Sequence, residues 1–144
     1  NVAGLPIFCF TADCVPPAGA CSSSGTAGAV HCGWRSSVSD IPGVAVGLMR
    51  SLGSRPGDIR AAIGPAIGYC CFETDADVPE AVDRPGKYLV DLRGALRRRL
   101  IQLGLSPEHI AVSDECTMCL HDKYWSHRYT RGGPRGSQCA VICL

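Results

Sequence analysis

The sequence lacks the features that mark several large classes of protein. Fourteen basic against thirteen acidic residues leave a net charge of +1, which gives no reason to expect a nucleic-acid or membrane partner. No apolar run approaches the roughly 20 residues that span a bilayer, and the first residues lack the basic start of a signal peptide. With only four histidines, the chain cannot supply the imidazole-rich ligand set of a multicopper oxidase.

Cysteine, by contrast, is abundant, with ten in 144 residues. In a small secreted protein this number would predict a disulfide framework. Here several cysteines lie within apolar, strand-like runs such as LPIFCF (5–10) and QCAVICL (138–144), where a reduced cysteine behaves as a small hydrophobic residue. We therefore expect a reducing, cytoplasmic setting.

The order of apolar runs predicts one domain over residues 1–144, in the α/β (α+β) class with layered sheets and helices. Strands are predicted at 5–10, 27–31, 59–64, 87–91, 109–114 and 138–144, with a Gly/Ser-rich turn at 19–26 and a short helix over 75–82. A helix is predicted from an N-cap at Ser39 or Asp40 to Gly53, with one apolar face formed by Ile41, Val44, Leu48 and Leu52. A second helix is predicted from 92 to a stop at Gly104, and its apolar face contains Leu92, Leu96, Leu100 and Leu103. The arginines at 93 and 97–99 are interpreted as its solvated face.

Cys14 and His31 are the first candidates for chemistry, because each lies where a predicted strand meets a loop. If the two strands are neighbours, both side chains reach one sheet edge, where sites commonly form. They could then be a Cys–His nucleophile pair or two ligands of a metal. The alternative is a hydrogen-bonded core histidine beside an inert thiol.

Three further segments stay open between a functional and a structural interpretation. The CxxC of Cys116 and Cys119, with His121 close behind, has metal-ligand spacing but also fits buried thiols beside a turn. The loop GPAIGYCCFE (64–73) either lines a pocket or packs. The segment 122–136 combines aromatic rings with arginines, which suits a ligand carrying a base and a phosphate, or a solvated loop.

Five motifs occur in one order along nearly the whole chain: TADC-x-P, H-x-GWR, GPAIG-x-CC-F-E, a late ECT, and S-x-R before a glycine-rich turn. In this combination the sequence resembles the YfiH/laccase-domain family, long labelled polyphenol oxidase. The resemblance implies a layered α/β/β/α fold, shared distantly with the cytotoxic necrotizing factor deamidases. It also implies a zinc held by Cys14 and His31, and phosphorolysis of purine nucleosides, including methylthioadenosine, together with deamination of adenosine.

Within that family resemblance, Arg35 and Arg128 are candidates to hold phosphate, and Trp34 is a candidate to stack on the purine. The third zinc ligand of the family is a histidine from an N-terminal portion, and no histidine here matches its position. We therefore expect an N-terminally shortened domain with an incomplete zinc shell. Two alternatives stay open: a copper-dependent polyphenol oxidase, and an inactive chain that folds on a partner or as a homo-oligomer. A Cys–His hydrolase or deamidase is the most remote reading.

Overall fold

The structure is a computed structural model that describes residues 2–74, 81–84 and 87–144. Its strands are β1 (Ile7–Thr11), β2 (Pro17–Cys21), β3 (Thr26–Ala29), β4 (Arg60–Ile63), β5 (Glu73–Thr74), β6 (Ala81–Arg84), β7 (Lys87–Val90), β8 (Ile110–Val112) and β9 (Gln138–Ile142). Its α-helices are α1 (Trp34–Val38), α2 (Ile41–Ser51), α3 (Leu92–Gln102) and α4 (His127–Thr130). The predicted α/β (α+β) class is confirmed.

The described strands form three sheets. The largest has the order β3-β2-β4-β8, in which only β4 and β8 run parallel. Helices α2 and α3 pack against it, and the antiparallel pair β1-β9 lies beside β2 and β3. The third sheet has the order β5-β7-β6. Among the described residues, no helix is both long and apolar enough to cross a membrane.

Both long helices begin at an aspartate cap: Asp40 is one of the two predicted candidates, whereas Asp91 lies at the end of the preceding predicted strand. The Asp40 carboxylate accepts a hydrogen bond from the Gly43 N–H at 3.3 Å, and the Asp91 carboxylate accepts one from the Gly94 N–H at 2.9 Å. A Cβ at either glycine would lie within 2.2 Å of the capping carboxylate, so a larger residue would require the aspartate side chain to shift. The helix ends near Gly53 and Gly104 are also as predicted, since both glycines have positive φ.

The apolar face predicted for α2 is wrong. Val44, Leu48 and Leu52 are half exposed, and the buried side chains are Pro42, Val46 and Met49. Because this helix is apolar almost all round, its sequence cannot indicate which side meets the sheet. For α3 the prediction holds, and Leu92, Leu96 and Leu100 are all buried.

Three other predictions need correction. The segment 19–26 is not a single turn, because Pro17–Cys21 forms a strand that pairs with both β3 and β4. Of the predicted helix at 75–82, residues 75–80 lie outside the described residues, while 81–82 belong to β6. The α3 arginines are not simply solvated: Arg93 donates to the Ser113 and Glu115 carbonyls at 2.6 and 2.7 Å, and Arg99 pairs with Asp40.

Candidate functional site

A cavity of about 310 Å³ lies where the loop after β1 meets the first turns of α1 and α4. Four residues singled out in the sequence line it: Cys14, Trp34, Arg35 and Arg128. Its volume falls at the small end of the range of about 300–1,000 Å³ that ligand pockets occupy. Phe72 and Leu92 add an apolar wall. The cavity therefore gathers a thiol, an indole ring and two guanidinium groups.

His31 does not line this cavity, but the backbone places it on the same face as Cys14. Val15 and Cys32 form an antiparallel bridge through two hydrogen bonds of 2.9 and 2.8 Å. A Cβ on Gly33, whose backbone is extended, would lie 3.2 Å from the Cys14 sulfur, and Gly33 and His31 are two residues apart, so Cys14 and His31 lie on the side opposite that bridged pair. They are diagonal neighbours, a relation that spans about 7–8 Å between backbones and lies within reach of an imidazole.

The His31 ring is oriented by a backbone group. Its Nδ1 lies 3.0 Å from the Phe10 carbonyl oxygen, which can only accept a hydrogen bond. Nδ1 therefore carries the hydrogen, and Nε2 holds the free lone pair on an exposed ring. This is the arrangement that protein ligands to zinc commonly have, with the second ring nitrogen donating to a carbonyl or carboxylate.

The environment of Cys14 favours the protonated thiol. Burial raises its pKa, and the neighbouring charge of Asp13 raises it further. A nucleophile and a metal ligand both need the thiolate, so this direction of the pKa favours neither interpretation of Cys14 over the other. Gly33 lies across from Cys14, and a Cβ there would come within 3.2 Å of the sulfur. Cys32, which precedes Gly33, points the other way and is fully buried. Burial raises the pKa of the Cys32 thiol to about 12.

The predicted substrate-binding residues already contact their neighbours. The Arg35 guanidinium lies 4.3 Å from the centroid of the Trp34 ring, so it covers one face of that indole. The Arg128 guanidinium donates to the Glu73 carbonyl at 2.9 Å and lies 5.6 Å from the Phe72 ring centroid. Arg128 is thus held over an apolar wall.

Asp13 is a site residue that the sequence reasoning missed. It is buried, and its two carboxylate oxygens accept hydrogen bonds from the Thr117 hydroxyl and the backbone N–H of Arg128, each at 2.7 Å. It therefore joins the loop that carries Cys14 to the start of α4. Its place inside the TADC motif was the only available signal, because its partners are more than 100 residues away.

The cysteines of the CxxC motif lie near two other cysteines and not near His121. Cys116 and Cys119 gather with Cys70 and Cys71, and the four sulfur atoms all lie within 4.8 Å of one another. His121 instead stacks on Tyr129, with 3.7 Å between ring centroids. The four cysteines could hold a metal ion.

Comparisons with known proteins agree with these features. The whole chain, residues 1–144, matches the family described as multi-copper polyphenol oxidoreductase laccase. The purine nucleoside phosphorylase YlmD of Geobacillus stearothermophilus is 38% identical in an alignment of 143 positions, and the alignment covers 89% of this chain and 52% of that protein. An adenosine deaminase, RL5, from an unknown prokaryotic organism is 34% identical in an alignment of 139 positions, which covers 87% of this chain and 53% of that protein. The chain thus spans about half the length of these relatives.

Solved structures show the same fold. The crystal structure of YlmD from Geobacillus stearothermophilus has a TM-score of 0.91 at 37% identity, covering 99% of this chain and 58% of that one. The structure of the Bacillus licheniformis protein YfiH also has a TM-score of 0.91, at 32% identity and with 99% and 59% covered. Fold, motifs and matched length together show that the chain belongs to the laccase-like YfiH family, as its TADC, HCGWR and GPAIGYCCFE motifs indicate.

Proposed function

We propose that the chain acts as a zinc-dependent purine nucleoside phosphorylase, with adenosine deaminase and methylthioadenosine phosphorylase activity. The observation that carries this proposal is the cavity in which Cys14, Trp34, Arg35 and Arg128 meet. Relatives named as purine nucleoside phosphorylase and adenosine deaminase support it. The substrates are accordingly a purine nucleoside with phosphate or water.

The residues present fit a zinc ion as two of its ligands. The Cys14 sulfur and the free Nε2 of His31 are donor types that zinc prefers, and both lie on one face of the backbone. The chemistry that zinc supplies when bound is Lewis-acid activation of water or of a substrate oxygen. The missing side chain at Gly33 leaves room for the Cys14 sulfur.

The cavity walls supply the remaining functions. The π face of Trp34 and the ring of Phe72 can stack on a purine, while the guanidinium groups of Arg35 and Arg128 can each bind two phosphate oxygens. In phosphorolysis the C1′–N9 bond breaks, its electron pair and a proton go to the purine, and a phosphate oxygen bonds to C1′. In deamination, water replaces the C6 amino group and ammonia leaves.

The test combines metal content with turnover. Wild-type chain, Cys14→Ser and the control Cys139→Ser would be purified without added metal and analysed by mass spectrometry. Cys139 is an exposed thiol on β9 and does not line the cavity. We expect Cys14→Ser to hold one zinc fewer than the other two proteins. Release of hypoxanthine from inosine should require phosphate and should fail in Cys14→Ser.

The other outcomes point elsewhere. Copper in place of zinc, with oxidation of a phenol, would favour a polyphenol oxidase. Equal zinc in all three proteins would contradict the role of Cys14. No metal and no turnover in the wild-type chain would contradict the proposal and favour an inactive or partner-dependent chain, which size-exclusion chromatography would examine.

A further inference from the structure

Two loops far apart in sequence bring four thiols together outside the cavity. Cys70 and Cys71 lie in a turn before β5, and Cys116 and Cys119 follow β8. The Cys119 sulfur is 3.7 Å from that of Cys70 and 3.4 Å from that of Cys71. Strand alternation does not apply in a turn, so two consecutive cysteines can face the same point.

The spacing of the four sulfurs matches one small ion. With zinc–sulfur bonds of about 2.3 Å, tetrahedral geometry places each pair of sulfurs about 3.8 Å apart. The observed set lies within 4.8 Å, so adjustments of about 1 Å complete the tetrahedron. An iron–sulfur cluster would hold its cysteines farther apart, because its inorganic core lies between them. Four sulfur ligands in a tetrahedron suit zinc.

One of the four sulfurs accepts a hydrogen bond from the backbone. The Gly68 N–H donates to the Cys116 sulfur at 3.2 Å. A Cβ on Gly68 would meet the Cys70 sulfur at 3.1 Å and Arg93 Nη2 at 3.3 Å, so the absence of a side chain at Gly68 leaves room for both groups. Arg93 is held there by its bonds to backbone carbonyls of the 113–115 segment. A hydrogen bond such as that from Gly68 to Cys116 orients a metal ligand.

The same two loops shape the cavity. Phe72, which follows Cys71, lines it, and Thr117, which follows Cys116, bonds to Asp13. The loops are also joined by the bridge between Ala66 and Cys116. An ion bound by all four cysteines would link these two loops and so hold the cavity-lining residues that they carry.

We propose that Cys70, Cys71, Cys116 and Cys119 bind one zinc ion in a closed, structural four-thiolate site. The ion replaces the thiol protons and makes four bonds to sulfur, which leaves no open position for substrate. Its role is to hold the 64–74 and 113–121 loops together. This site is separate from the zinc proposed at Cys14 and His31, and it does not depend on the proposed activity.

The experiment removes the other zinc first. Cys14→Ser protein, purified anaerobically with reductant, should hold one zinc per chain. Cys14→Ser/Cys119→Ser should bind zinc more weakly by more than the roughly 100-fold seen when only an outer-shell partner is lost, measured by competition with a chromogenic chelator. Cys14→Ser/Cys139→Ser is the matched control and should retain the ion. Because Cys119 is exposed, its replacement leaves the core intact, which circular dichroism would check.

Two readouts are independent of enzymatic activity. Cobalt(II) in place of zinc should give strong thiolate-to-cobalt charge-transfer absorption in Cys14→Ser, and this absorption should be much weaker in Cys14→Ser/Cys119→Ser at the same cobalt concentration. A chelator should lower the melting temperature of Cys14→Ser but not that of the Cys119 double variant, because a ligand that binds only the folded state stabilises it. Metal-free Cys14→Ser protein, zinc kept equally by the Cys119 double variant, or iron at the site would overturn the proposal.

Discussion

Replacing Asp13 by alanine should destabilise the fold strongly, because the change removes both hydrogen bonds that join the Cys14 loop to distant parts of the chain. The Thr117 hydroxyl, which is fully buried, and the Arg128 N–H would each lose their acceptor. Asp13 also has a positive φ of 84°, a conformation that alanine adopts at a cost. Asparagine tolerates this region better than other side chains.

The size of the effect follows from these contacts. Hydrogen bonds to a charged group contribute about 1.5 kcal/mol or more each, and alanine at this φ costs about 1 kcal/mol. The free energy of unfolding should therefore fall by about 4 kcal/mol, a large share of the roughly 5–15 kcal/mol that holds a domain together. Asp13→Asn can accept from Arg128 through Oδ1 and donate to Thr117 through Nδ2, so we expect a loss of about 1 kcal/mol.

Urea unfolding of the wild-type chain and both variants tests this reasoning. With a slope of about 2 kcal/mol per molar, the midpoint should fall by about 2 M for Asp13→Ala and by about 0.5 M for Asp13→Asn. A midpoint for Asp13→Ala within about 0.3 M of wild type would refute the argument. So would equal losses in the two variants, because asparagine preserves the hydrogen bonds and alanine does not.

Three further changes have defined outcomes. Gly33→Ala should weaken zinc retention at Cys14, because the new Cβ lies 3.2 Å from the sulfur; unchanged retention in chelator competition would contradict this. Asp40→Ala should lower the free energy of unfolding by about 1 kcal/mol through the lost cap and by about 1 kcal/mol more because alanine must adopt the positive φ of 58°. The hydrogen bond from Arg99 lowers the pKa of Asp40, so the part of the loss that depends on the carboxylate should be full well above the ordinary pKa of 3.8 and fall at lower pH, while the φ cost remains; a loss that does not change with pH in urea titrations would refute the assignment. Leu96→Ala should lower the free energy of unfolding by about 3 kcal/mol, because it leaves a cavity in the core. A loss under about 1 kcal/mol would show that Leu96 is not in the core.

Local chemistry explains where prediction from sequence succeeded. The cap at Asp40 and the glycine ends of α2 and α3 depend on neighbours within four residues, so residue type predicts them well. The buried face of α3 was predictable because charged residues mark its other side. The face of α2 was not, since packing against the sheet selects Val46 and Met49 over equally apolar alternatives.

Motif resemblance located Cys14, Trp34, Arg35 and Arg128, and the structure places these four around one cavity. Their roles, and that of His31, stay predictions for the metal and turnover measurements. The strand Pro17–Cys21 was missed because Ala and Gly have weak strand propensity, and pairing with two neighbours overrides that preference.

By itself, the sequence determined the mixed α/β class, the glycine ends of the two long helices and the family, because each depends on short motifs and local periodicity. Only the tertiary structure decided which distant groups meet. It joins Asp13 to Thr117 and Arg128, and it gathers Cys70 and Cys71 with a CxxC motif 48 residues away. Such contacts depend on how sheets and loops pack, and no pattern within either segment encodes the other's position.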